Sequence, residues 1–163
     1  MPQAGPRTRE LEDVYRRRYR EFVRVATAIL GNEASGHDAV QEGFAQALRE
    51  QRSFRNEGPL EAWVWRTVVN AALASRRRRL ARHEAREALV VEAATGGGAD
   101  ESGVRAWVAA LPERQRLAVY LRYYADLDYR SIADVLGVET GTVSATLSSA
   151  HQALRRSLQE VEQ

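Results

Sequence analysis

The chain has 163 residues, a formal net charge of +2, 44% apolar and 28% charged residues, the composition of an ordinary soluble globular protein. No apolar run reaches the roughly 18 residues needed to span a bilayer. The N-terminal "MPQAGPRTRELEDV" lacks the apolar core of a secretory signal, and cysteine is absent, which excludes disulfides and thiolate metal sites. A cytoplasmic protein without membrane insertion and without a cofactor is the expectation.

In chain order, "LEDVYRRRYREFVRVATAIL" places Leu11, Tyr15, Tyr19, Phe22, Ala26 and Ile29 at steps of three and four, one face of a long helix. "GNEASG" breaks that helix with two glycines. Val40, Phe44, Ala47 and Leu48 mark a second helix, and "RSFRNEGPL" reads as a loop around Gly58-Pro59. Leu60, Val64, Val68 and Ala71 mark a third helix, which runs into the basic tract "RRRRLARHEAR" over residues 76–86. All 24 basic residues are Arg, whose planar fork of donors suits phosphate and carboxylate. The same bias is also that of a GC-rich genome.

"ALVVEAATGGGADES" then changes character, with three consecutive glycines, small residues and acids, and reads as a flexible linker. Periodicity returns at Val104, Trp107, Val108 and Leu111. Pro112 suits the first turn of a helix over 113–125. Asp128 suits the cap of a short helix, "YRSIADVL", with Gly137 as its C-terminal stop. A last helix begins near Thr140, with Val143, Leu147, Ala150, Leu154 and Leu158 as its inner stripe. The expectation is an all-α chain: a helical domain over 8–86, a linker over 87–103, and a second helical domain over 104–160. Helix, tight turn and helix from Asp128 onward have the spacing of a helix-turn-helix.

"LPERQRLAVYLRYYADLDYRSIADVLGVETGTVSATLSSAHQALRR" resembles region 4 of the extracytoplasmic-function sigma factors of the sigma-70 family. Upstream, "DAVQEGF" and "AWVWRTVVN" resemble motifs of their region 2. The resemblance covers about 11–86 and 104–158, in the family's order. It implies a non-enzymatic transcription-initiation protein that lends promoter recognition to core RNA polymerase. Region 2 would dock on the β′ clamp helices and open the −10 element, and region 4 would dock near the β flap and read the −35 major groove. By position, Asp38, Gln41 and Glu42 would face the clamp helices. Phe54, Arg55, Asn56, Trp63, Arg66, Asn70, Arg76 and Arg77 would serve the −10 element, where an unstacked base needs a pocket and the single strand a positive track. Of Trp63 and Trp65, one is expected in the core.

Arg130, Thr140, Thr142, Ser144, Ala145, Thr146, Ser148, Ser149 and Arg155 would serve the −35 element. The family often carries Lys or Arg at the positions of Ser144, Thr146, Ser149 and His151, and this chain has none from 143 to 152. Hydroxyl donors, the helix N-terminus and flanking arginines remain. The implied reader is weak and depends on tethering by polymerase, which replaces intrinsic affinity with effective concentration. An anti-sigma factor is a further implied partner. A stand-alone helix-turn-helix regulator and a sigma-like interaction protein are the alternatives. No other chemistry has support: His37, His83 and His151 are isolated, Asp126 and Asp128 read as a turn and a cap, and "TGGGAD" lacks the Lys of a phosphate loop.

Overall fold

The computed structural model describes residues 6–82 and 101–162, and every regular element among them is helical. Chain contacts divide the molecule into two compact units, Met1–Val91 and Glu92–Gln163.

The first unit packs α1 (Pro6–Leu30), α2 (Glu33–Glu50) and α3 (Leu60–Arg82) against one another, with a short 3-10 turn at Gln51–Ser53. The inner side of α1 is wider than a single stripe, because Val14, Val23 and Val25 are buried beside Leu11, Phe22, Ala26 and Ile29. The expected break at "GNEASG" involves one glycine, not two. Gly31, in the left-handed region at φ 85°, ends α1, and Asn32 caps α2 by accepting the Ser35 N–H at 2.8 Å. Gly36 lies inside α2, where a Cβ would stand 3.0 Å from the Thr27 backbone nitrogen and closer still to its hydroxyl. Gly43, about two turns further along α2, does the same toward α3, with an added Cβ 2.6 Å from Val68 Cα. The two glycines let α2 approach α1 and α3 closely.

Helix α3 is most enclosed where it begins. Ala62, Val64, Trp65, Thr67, Val68, Val69, Ala71 and Ala72 are buried, nearly all round its first half. Trp65 is the core tryptophan, with its ring 4.1 Å from that of Phe22. Leu48, expected on the inner side of α2, is instead exposed, since α2 turns its face to Phe44 and Ala47.

The second unit comprises α4 (Glu101–Ala110), α5 (Glu113–Tyr123), α6 (Tyr129–Leu136) and α7 (Thr140–Val161). Residues 101–103, assigned above to the linker, belong to α4, while 87–100 lie outside the described residues. Pro112 occupies the cap position of α5 rather than its first turn. That helix stops at Tyr123, before the expected 125, because the chain turns through Asp126 at φ 54°. Asp128 caps α6 by accepting the Ser131 N–H at 2.8 Å, and Gly137 closes it in the left-handed conformation at φ 67°. The Val138 N–H then returns to the Ala133 carbonyl at 3.0 Å. Val143, Leu147 and Ala150 bury the first half of α7 against α5 and α6. The stripe fades beyond them: Leu154 is half-buried and Leu158 exposed.

Candidate nucleic-acid interface

In the first unit, the residues expected to meet two different partners converge. Asp38, Glu42 and Gln46 from α2 and Asn70, Ser75, Arg77 and Arg78 from α3 line one open groove of about 490 Å³. Asp38 and Glu42 stand one turn apart, as do Arg66 and Asn70, and all four are exposed. Gln41 is exposed on α2 outside the groove. Of the basic tract, Arg77 is exposed and Arg76 half-buried. Arg79 donates to the Leu30 carbonyl at 2.9 Å, which satisfies a carbonyl at the C-terminal end of α1.

The loop between α2 and α3 is held in place by the start of α1. The Arg7 guanidinium lies over the Phe54 ring at 4.7 Å and donates to Asn56 Oδ1 at 3.0 Å. Thr8 donates to Gln51 Oε1 at 3.1 Å. Phe54 also packs on half-buried Trp63, with ring centroids 5.4 Å apart. Asn56 holds a left-handed φ of 58°, and Arg55 points to solvent beside it. Arg17 and Arg18 pair with Glu61 at 3.5 and 2.9 Å, which fixes the start of α3 against α1. Sequence reading missed Arg7, because the apolar stripe that marks α1 begins at Leu11.

In the second unit, α7 buries one face and shows the other. Thr140, Ser144, Ala145, Ser148 and Ser149 are exposed, while Thr142 and Thr146 are half-buried. Thr142, Ala145, Thr146 and Ser149 line a shallow groove of about 460 Å³ together with Pro112 at the cap of α5 and Arg114 and Gln115 in its first turn. Arg130 on α6 and Arg155 on α7 are exposed but lie outside it. Glu139 stands at the cap of α7 without a side-chain capping bond. His151 is bonded to the Tyr123 hydroxyl at 2.8 Å.

The perturbed titrations are structural. The Asp128 carboxyl is held below its usual range, mainly by the Ser131 backbone N–H. Burial pushes the Tyr120 hydroxyl up, with Tyr124 adding to the effect. Among the described residues no group of His, Asp and Glu is arranged to hold a metal, and no helix is long and apolar enough to cross a membrane.

The two units are those of a sigma-70-type transcription factor: residues 14–82 match the family model for Sigma-70 region 2, and residues 103–158 that for Sigma-70, region 4. The chain is 32% identical over 152 residues to the ECF RNA polymerase sigma factor SigM of Mycobacterium tuberculosis, covering 90% of this chain and 76% of that protein. It is 25% identical over 138 residues to the RNA polymerase sigma factor SigV of Bacillus subtilis, covering 83% and 82%. It belongs to the extracytoplasmic-function sigma factors. The fold is shared with the sigma factor RpoE solved with the anti-sigma factor NepR from Bartonella quintana, at a TM-score of 0.73 and 22% identity, covering 93% and 96% of the two chains. CnrH, solved with the cytosolic domain of CnrY, aligns at a TM-score of 0.68 and 19% identity, covering 94% and 90%.

Proposed function

We propose that this sigma factor binds core RNA polymerase through the exposed α2 face at Asp38, Gln41 and Glu42. The α2–α3 loop and the outer side of α3 serve the −10 element through Phe54, Arg55, Asn56, Trp63, Arg66, Asn70, Arg76 and Arg77. The α6–α7 pair serves the −35 element through Arg130, Thr140, Thr142, Ser144, Ala145, Thr146, Ser148, Ser149 and Arg155. The protein acts in the cytoplasm, carries no active site, and is a target for an anti-sigma factor of the kind found with its structural relatives. The observation that carries the reading is the two-sided character of α7. Its Val143–Leu147–Ala150 side is locked into the unit, and its small hydroxyl-bearing side is left open, as a groove-entering helix requires.

One feature favours a second reading, an interaction protein that engages polymerase without reading promoters. The open side of α7 has no Lys or Arg from 143 to 152, and an acid stands at its cap. Run-off transcription with core polymerase on fragmented genomic DNA separates the two. Discrete transcripts that require the added chain support promoter recognition. Stable binding to core with no transcript supports the second reading.

A further inference from the structure

The loop between α2 and α3 carries two residues of positive φ, Asn56 at 58° and Gly58 at 145°. A residue other than glycine holds that conformation at a cost, and it persists where surrounding contacts fix it. For Asn56 the fixing contact comes from outside the loop. Arg7, in the first turn of α1, sets its guanidinium 4.7 Å from the Phe54 ring centroid and donates to Asn56 Oδ1 at 3.0 Å. Glu10, one turn on, stands 3.6 Å from the same guanidinium nitrogen and braces it. Trp63 meets Phe54 from α3, so the ring is held from two helices at once. The bond to Arg7 also fixes the sense of the Asn56 amide. Its carbonyl oxygen is engaged, while its NH2, on an exposed side chain, has no partner among the described residues. The loop therefore offers a free donor to whatever enters it.

We infer that Arg7 is a positioning residue for promoter opening: it sets Phe54 and Asn56 in the arrangement that receives an unstacked base, without touching DNA itself. This rests on the reading of the α2–α3 loop as a site for the −10 element. A loop ordered beforehand avoids the entropy cost of ordering its side chains on binding. The surroundings of Arg7 suit this role better than a phosphate contact. Its guanidinium is already engaged by an amide, a ring and a carboxylate, and its side chain is only 27% exposed.

The test reconstitutes the full chain with core RNA polymerase on a genomic fragment that yields a discrete run-off transcript. Open complexes are read by permanganate reactivity of unpaired thymines, across a range of salt concentrations. Arg7→Ala should lower the open-complex equilibrium about fivefold, the effect of leaving one or two side chains to be ordered on binding. Affinity for core and the log–log salt slope should stay at the parent values. Asn56→Ala should lose at least as much, and adding Arg7→Ala to it should cost little more, because the two residues work as a unit. Losses that multiply in the double variant, or a salt slope lower by about 0.9, would make Arg7 a direct phosphate contact. Either result overturns the inference and leaves the reading of the loop intact. Parent-like opening by Arg7→Ala, or an equal loss of core affinity, would also overturn it. If the parent chain gives no transcript, or Asn56→Ala and Phe54→Ala both open DNA as the parent does, the reading of the loop falls and the inference with it.

Discussion

Asp128 couples one residue to a whole element. Its carboxylate satisfies the Ser131 N–H at the start of α6, so Asp128→Ala should destabilise the second unit by about 1 kcal/mol in urea unfolding. The sign of the pH dependence follows from the lowered pKa. The contribution is complete above the ordinary value of 3.8 and is lost as pH falls through the lower folded value. The gap between parent and variant should therefore close in strong acid and persist at neutral pH. Glycines supply a second pair of expectations with opposite signs. At Gly43 a Cβ meets the α3 backbone, so Gly43→Ala should cost about 1–3 kcal/mol through overpacking. At Gly141, in the first turn of α7, an added Cβ has nothing within 4 Å. Gly141→Ala should stabilise by about 0.4–1 kcal/mol through the unfolded chain. Chemical denaturation of both variants checks the pair, and a shared sign would contradict the packing described.

At the scale of elements, the first turns of α1 act beyond their own helix. They extend past the apolar stripe to grip the loop that joins α2 to α3, through Arg7, Phe54 and Asn56. Arg7→Ala should leave total helicity intact and speed amide hydrogen exchange across residues 54–58. Unchanged exchange there would mean that Phe54 and Trp63 hold the loop without help. This contact also marks the limit of what the sequence reveals. The helices were legible because their inner residues repeat at three and four, and the α6 cap and stop because Asp128 and Gly137 have strong local preferences. Arg7 and Asn56 lie 49 positions apart, and no periodicity relates them. Gly36 resembled a helix breaker because its role depends on Thr27 in another helix. The hydrogen bond from Arg79 to the Leu30 carbonyl likewise carries no signature in a one-dimensional pattern.

At the scale of the molecule, each unit closes its own core. Phe22, Val40 and Trp65 lie within the first, and Leu121, Ile132 and Leu147 within the second. Residues 1–91 and 92–163, expressed separately, should each retain helical circular dichroism. Leu147→Ala should lower the stability of the second unit by about 2–5 kcal/mol and leave the first unchanged, and a parallel loss in both would show that they fold as one. The tryptophans make this measurable by light alone. Trp65 is fully enclosed against Phe22, with an indole nitrogen that has no hydrogen-bond partner, an environment that shifts emission to the blue. Trp107, half-exposed on α4, is the single tryptophan of the second unit. A chain in which Trp63 and Trp107 are both replaced by Phe therefore carries one tryptophan, sealed in the first unit, and the red shift of its selectively excited indole emission reports the melting of that unit by itself. Retaining Trp107 alone gives the complementary optical probe, one whose emission follows the unit that carries α7.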